Sequence, residues 1–387
     1  MFVLGKVYKI DSFLLIMKKG GDKKGLSTVV STLMIILLVV VSIGIVWFTI
    51  NNLIKEETSG ISAGLNRVIL DIAEESVKVN SPGIAPSLSL KVGRNSEEGD
   101  LAKIKFILSD GNREQVTDLP ANLGKLESAR FDIPLQDINF VKKVSVAPIL
   151  LKDNGEEYTG QVTDSYELSN EEILSNFLTV QPISWWKFDG DAKDSVGSNN
   201  GELKNDVEFT TGKDGKAISF DGVNDYVSVL DADSLDVIVG FYTLALWVKF
   251  PISGSAPYAG IVSKNYSASA LAGSWGLVRN LTSANSIKYQ DSSNADNFNV
   301  NLAVSGISNG WHHIAIVRNG GGTTIYLDGK NVSSQHESSP SPLFNSAPLL
   351  IGQANNAYSK TDVDELMFFD KALTSKDISV LYGANSD

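Results

Sequence analysis

The chain has 387 residues, a net charge of −12, a pI near 4.8, no cysteine and three histidines. It carries no excess of cations to neutralise a phosphate backbone, which excludes nucleic acid as a partner class. The missing cysteines exclude a disulfide scaffold, a thiolate zinc site and a cysteine nucleophile, and so few histidines argue against a His-based catalytic metal centre.

The first element is an apolar run. The 29 residues from Leu26 to Ile54 carry no charge. As a helix they extend about 43 Å, more than the ~30 Å hydrocarbon core of a bilayer. Their many Val and Ile residues favour a strand in water, but a lone strand in lipid leaves its backbone unpaired, so a helix is expected. Lys18, Lys19, Lys23 and Lys24 precede the run, and Lys55, Glu56 and Glu57 follow it. The positive-inside rule then places the N-terminus in the cytoplasm and everything after Ile54 outside, with Trp47 near the outer interface. A cleaved secretory signal has an apolar core of about 7–15 residues, half this length, so the run reads as retained.

What precedes the run narrows its use. "DKKGLSTVV" (Asp22–Val30) resembles the class III signal of archaeal type IV pilins and archaellins. The resemblance implies a prepilin peptidase cutting between Gly25 and Leu26, and a mature helix that packs with its copies in a filament core. Bacterial type IV pilins carry Glu at the fifth mature position; Val30 stands there in this chain, as archaeal members commonly allow. The first sixteen residues, "MFVLGKVYKIDSFLLI", fit none of this, whereas Met17 opens the compact basic leader "MKKGGDKKG" and reads as the true start. The chain thus opens with a leader over 1–25, a transmembrane or pilin-type α-helix over 26–54 and a polar linker over 55–66.

From residue 67 to 167 the pattern turns to period-two strands. "SLSLKV" (Ser87–Val92) and "AKIKFIL" (Ala102–Leu108) alternate apolar and polar residues. "SDGN" (Ser109–Asn112) and the Asn154-Gly155 pair read as turns. "SPGIAPS" (Ser81–Ser87) breaks any helix, and Pro134 and Pro148 restrict strands to edges or ends. A small β-sandwich of immunoglobulin-like size is expected. "SNEEILSNFL" (Ser169–Leu178) reads as a short capped helix inside a linker over 168–182.

The remainder, 183–387, carries "ISWWKFDGDAKDSVGSNNGEL", "GKAISFDGVNDYVSV", "TLALWVKF", "GWHHIAIVRNGGGTTIYLDGKNV", "APLLIGQAN" and "DVDELMFFDKALTSKDISVLY" in that order. Together these resemble the laminin G-like, concanavalin A-type jelly roll, which implies two antiparallel sheets. The residues give the same picture on their own. "LALWVKF" sets Leu244, Leu246, Val248 and Phe250 on one face, with Ala245, Trp247 and Lys249 on the other. Asp328-Gly329 reads as a hairpin turn. Thr374 followed by Asp377 reads as a capping box opening a terminal helix. Trp185, Trp186, Trp247 and Trp311 fall in strand-like segments and read as core filling.

The jelly roll hosts hydrolases as well as binding modules, so the fold alone decides nothing. A retaining glycosidase needs two carboxylates about 5–5.5 Å apart, and the glucanase pattern Glu-x-Asp-x-x-Glu is absent. Asp362, Asp364 and Glu365 come nearest, but they fall in the closing strand. His312 and His313 point to opposite faces with no third ligand in sequence, and read as structural. The resemblance implies a structural calcium ion, with Asp189, Asp194, Asp225 and Asp364 as candidate ligands; Asp at turns also caps backbone amides. Sugar rings stack on exposed aromatics, and Tyr258, Tyr266, Trp275 and Tyr358, in Ser/Asn/Gly-rich stretches, are the candidates.

The sequence therefore reads as a pilin-type helix followed by an all-β ectodomain. Its expected partners are the membrane, copies of itself through that helix, a prepilin peptidase, and an extracellular glycan or surface protein bound without catalysis. The alternative is a monomeric type II membrane adhesin with the same ectodomain; a glycan hydrolase ranks below both. The expected place is the cell membrane or a surface filament, with the C-terminal domains outside.

Overall fold

A computed structural model describes residues 68–80, 86–236, 240–254, 257–266, 274–280, 286–293, 296–303, 307–320, 322–332, 336–337 and 345–385. The leader, the apolar run, the processing pair Gly25 and Leu26, and the linker to residue 66 lie outside the described residues. Among the described residues, no helix is long and apolar enough to cross a membrane.

The chain first builds two small sheets. Strands β1 (Leu70–Asn80), β2 (Ser87–Arg94), β3 (Asp100–Ser109), β4 (Glu114–Pro120), β5 (Ser128–Pro134), β6 (Lys143–Leu151), β7 (Glu157–Thr159) and β8 (Asp164–Glu167) follow in order. β1, β2 and β5 form one sheet; β4, β3 and β6 form the other, with β7 and β8 sharing the far edge of β6. Period-two alternation puts Leu88, Leu90 and Val92 of β2 inside, and likewise Ile104, Phe106 and Leu108 of β3. The Phe106 and Phe131 rings, one from each sheet, lie 5.2 Å apart.

Pro148 departs from expectation, because it sits inside β6, a central strand. The N and O of one residue point to the same side of a strand. The Pro148 carbonyl accepts from the Gly160 amide, so its missing N–H faces the place where β7 gives way to β8. No ladder bond is forfeited there.

Helix α1 (Asn170–Phe177) opens with the expected capping box. The Glu172 amide donates to Ser169 Oγ, and the Ser169 amide donates back to the Glu172 carboxylate. Its buried residues are Ile173, Leu174 and Phe177.

The jelly roll follows. Its strands are β9 (Ser184–Trp186), β10 (Gly201–Lys204), β11 (Glu208–Thr211), β12 (Lys216–Asp221), β13 (Tyr226–Val229), β14 (Phe241–Phe250), β15 (Ser253–Gly254), β16 (Tyr258–Lys264), β17 (Ser274–Asn280), β18 (Ser286–Ser293) and β19 (Asp296–Ala303). Then come β20 (Gly310–Asn319), β21 (Gly322–Leu327), β22 (Lys330–Asn331), β23 (His336–Glu337), β24 (Leu349–Ile351), β25 (Gln353–Ala354), β26 (Ala357–Phe369) and helix α2 (Ser375–Ala384). One sheet runs β11, β12, β26, β14, β20, β21; the other runs β10, β13, β24, β16, β17, β18, β19. β26 links them: Tyr358 pairs with Gly260 in the second sheet, and from Ser359 onward the strand belongs to the first. The expected face of β14, Leu244 to Phe250, packs in the core with Ile314 and Ile316 of β20 and with Val262, Leu277 and Ile351 of the opposite sheet. Asp328 and Gly329 both take positive φ in the β21–β22 turn, as an Asp-Gly hairpin requires. α2 opens with the Thr374–Asp377 capping box.

Candidate functional site

The four calcium candidates are organisers of backbone. Asp194 Oδ1 accepts from the amides of Trp185, Val196 and Gly197, and Oδ2 from that of Asn199. Asp364 Oδ2 accepts from the Lys213 and Asp214 amides, and Oδ1 from that of Glu365. Asp189 Oδ1 takes the Lys216 amide at 2.8 Å. Asp225 is buried, and burial with the Asp221, Asp206 and Glu208 carboxylates pushes its pKa up. Asp194 and Asp364 thus serve as acceptors for loop amides, the role an Asp at a turn commonly fills. Among the described residues, no three His, Cys, Asp or Glu side chains converge to hold a metal ion.

The carboxylates of the closing strand are likewise engaged. Lys249 Nζ and Ser219 Oγ donate to Asp362. Asp364 is fully buried, and burial pushes its pKa to about 7 against the pull of its three amides. Glu365 accepts from Trp185 Nε1 at 2.8 Å, and burial beside Asp364 pushes its pKa to about 9. Neither of these two buried groups has access to a substrate.

The histidines do lie on opposite faces. His312 meets the Phe250 ring edge-on at 5.3 Å, whereas His313 lies against Trp247 and Tyr382. His312 Nδ1 is 2.8 Å from Asp328 Oδ2, and its Nε2 is 3.1 Å from both Ser308 Oγ and the Ser308 carbonyl. This Ser-His-Asp order was not legible in sequence, since Asp328 arrives across the β20–β21 pair. Asp328 also accepts from the His313 amide, so it clamps the hairpin, and Ser308 stands exposed to water.

The tyrosines are more informative. On β17, Trp275 and Leu277 face the core, so Gly276 and Val278 must face outward. On β18, Ile287 and Tyr289 face the core, which turns Lys288 and Gln290 outward. Two glycines clear this outer face. A Cβ on Gly276 would lie 2.6 Å from the Tyr266 ring, so that ring occupies the bare patch. A Cβ on Gly260 would lie 2.1 Å from Ala354 N, so the β25 backbone occupies the other. Tyr258, from β16, packs there against Tyr266, Val278 and Ala354. Lys288 Nζ lies 5.2 Å over the Tyr258 ring and donates to Gln290 Oε1 at 2.7 Å. Tyr358 and Tyr226 add a ring pair with centroids 6.2 Å apart.

Three of the four aromatic candidates, Tyr258, Tyr266 and Tyr358, thus share the outer face of the second sheet. Trp275 is a correction: it is 1% exposed and lies parallel to Phe368 in the core, with no face left for a sugar. Tyr266 is buried as well, its pKa pushed to about 12, and acts as a support whose hydroxyl approaches Gln290. Tyr258 and Tyr358 are half-buried. Sequence reasoning missed Tyr226, Lys288 and Gln290; strand parity around Tyr289 was the signal that could have found the last two. Trp311 is only half-buried, with Lys249 over its ring, and so is not the core filling expected of it.

Among curated proteins, none matches the chain. Among solved structures, domain 4 of a GH43 extracellular arabinanase from Geobacillus stearothermophilus, in complex with arabinotriose, is 20% identical at a TM-score of 0.42, covering 52% of this chain and 98% of that one. The binding domain of Paraclostridial Mosquitocidal Protein 1 is 18% identical at 0.43, covering 54% of this chain and 52% of that one. The binding domain of botulinum neurotoxin DC, in complex with rat synaptotagmin II, is 15% identical at 0.42, covering 53% and 51%. The chain spans about half the length of both toxin domains. Residues 221–379 match the laminin G-type family model of the concanavalin A-like lectin/glucanases superfamily, and the all-β jelly roll of this part of the chain agrees with that family.

Proposed function

We propose that the chain is a membrane-anchored surface protein whose jelly roll binds an extracellular glycan, without catalysis, on the outer face of its second sheet. The observation that carries this reading is the gathering of Tyr258, Tyr358 and Tyr226 with Lys288 and Gln290 on one face. Half-buried Tyr258 and Tyr358 offer apolar surface for sugar C–H groups, and the Lys288 amine, held by buried Gln290, offers hydrogen bonds to hydroxyls. The carboxylates that a glycosidase would need are committed to backbone amides, to Lys249 and to Trp185. A glycan array probed with the full-length protein should return bound sugars that Tyr258→Ala and Tyr358→Ala weaken by about tenfold each, the scale of a lost stacking contact. An array with no retained glycan, or one indifferent to both substitutions, refutes the face.

The anchor belongs to the same proposal. The run after Gly25 is retained, Leu26 is its first mature residue, and the helix joins copies of the chain in a surface filament. N-terminal sequencing of protein from membranes and from sheared filaments tests this. Leu26 at the N-terminus supports the pilin-type subunit, whereas an intact basic leader leaves a monomeric type II adhesin.

A further inference from the structure

Lys288 differs from every other lysine on the strands of the jelly roll. Lys204, Lys249 and Lys264 each pair with a carboxylate. Lys216, Lys330 and Lys360 are exposed to water. Lys288 is half-buried, and among the described residues its amine meets only the neutral Gln290 amide and the face of Tyr258. Burial lowers its pKa, and among the described residues no anion opposes the effect. A partly desolvated ammonium without a counter-charge is costly to keep, and an acidic chain offers many carboxylates that could have paired with it. A ligand anion arriving on this face would supply the missing partner in a medium that strengthens charge-assisted hydrogen bonds.

We propose that the glycan taken on this face is acidic, and that Lys288 is the subsite for its anionic group, a carboxylate or a sulfate. The inference rests on the binding face proposed above. It adds a charge requirement: Tyr258 stacks against the sugar ring that bears the anion, Lys288 Nζ donates to the anion, and Gln290 holds Nζ in place. A charge-assisted contact contributes about tenfold to a hundredfold in affinity.

The test is calorimetric titration of the full-length protein with two polymer pairs. One pair is polygalacturonate and its carboxyl-reduced form; the other is a sulfated galactan and its desulfated form. The acidic member of at least one pair should bind at least tenfold tighter, and which pair discriminates identifies carboxylate or sulfate as the anion. Lys288→Met should remove that preference and Lys288→Arg should keep it, so a variant that merely misfolds is recognised by the loss of both polymers. Equal binding of acidic and neutral members overturns the inference while leaving a glycan face in place. A preference that survives Lys288→Met also overturns it, because the charge is then read elsewhere. Failure of all four polymers overturns it too, and the glycan array then decides separately whether the face binds sugar at all.

Discussion

Asp377 and Thr179, 198 residues apart in sequence, are joined by two hydrogen bonds: the Thr179 amide and hydroxyl both donate to Asp377 Oδ1, at 2.9 and 2.8 Å. The other oxygen, Oδ2, accepts from the amide and hydroxyl of Thr374 at 3.0 and 2.6 Å. One buried carboxylate therefore caps α2 and fastens the segment that leads from α1 into the jelly roll. Nearby, Gly383 of α2 leaves space for the Phe140 ring, which a Cβ would meet at 2.2 Å. Phe140 in turn meets Phe177 of α1 edge-on at 6.5 Å. Lys187 and Glu171 form an ion pair across the same junction. The stretch that reads in sequence as a spacer is tied to the elements on both sides of it.

Replacing Asp377 should loosen that junction. Asp377→Ala keeps the Thr374 N-cap bond to the residue-377 amide but removes the reciprocal half of the capping box, leaving the amides of Thr374 and Thr179 without their acceptor. An orphaned, part-buried donor costs about 1–3 kcal/mol. The urea midpoint of the full-length protein should fall accordingly. Asp377→Asn, which keeps one carbonyl acceptor, should fall less. An unchanged midpoint in both would show that the contact is incidental.

The two sides of β17 and β18 should separate under mutation. Trp275→Ala opens a cavity in the core, and such truncations cost about 3–5 kcal/mol. Its effect on glycan binding should therefore follow the fraction unfolded. Tyr258→Ala, on the outer face, should leave thermal stability within about 1 kcal/mol of the parent while weakening binding. Paired melting and affinity measurements distinguish the two. Equal stability losses would place Tyr258 in the core beside Trp275.

That contrast also shows how far the sequence can be read. "LALWVKF" announces its faces because one parity is wholly apolar, and Asp328-Gly329 announces its turn because few other pairs adopt two positive φ values. The capping boxes at Ser169 and Thr374 are local patterns and fold as written. "SWGLVRN" (Ser274–Asn280) is different: both parities carry an apolar residue, and its Ser/Asn/Gly-rich neighbours suggest a loop, so Trp275 looked like a surface aromatic. The partners of Asp364 were beyond local reading, since the Lys213 amide lies 151 residues away. The same holds for Lys288, whose setting depends on Tyr258 arriving from another strand.

Calcium should leave stability unmoved. Asp194 and Asp364 each engage both oxygens with backbone amides, so the loops that a cation would order are already held by these bonds. Thermal melts with excess Ca²⁺ and with a chelator should coincide. A rise in Tm with Ca²⁺ that Asp189→Asn or Asp225→Asn abolishes would restore the metal site.

Ser308, His312 and Asp328 stand in nucleophile, base and orienter order, so their inertness needs its own test. Asp328 at Nδ1 leaves Nε2 facing Ser308 Oγ, but the Ser308 hydroxyl is open to water and its own carbonyl shares the approach to Nε2. A site that cannot exclude water forfeits the electrostatic gain that makes a serine reactive. Incubation of the full-length protein with a fluorophosphonate should give no adduct, read by intact mass. An adduct that Ser308→Ala removes would make the chain a serine hydrolase and overturn the non-catalytic reading.

The last prediction concerns pH. Glu365 is 3% exposed, takes positive φ where β26 shifts register against β14, and accepts from Trp185 Nε1. Burial first, and the Asp364 carboxylate second, push its pKa to about 9, whereas an unfolded Glu titrates near 4.3. The folded chain therefore holds a proton that the unfolded chain releases between these values. A raised carboxyl contributes its full stabilisation below the unfolded pKa and loses it as pH rises through the folded one. Asp364, pushed to about 7, adds to the loss over the lower part of that window. Stability should thus decline from about pH 5 towards pH 9, by at most about 1.4 kcal/mol per pH unit for each carboxyl. Glu365→Gln keeps an oxygen for Trp185 and removes the titration, so its urea midpoint should match the parent at pH 5 and exceed it at pH 8.5. Parallel pH profiles for parent and variant would mean that Glu365 is already ionised in the folded protein, with a cation close enough to hold it so.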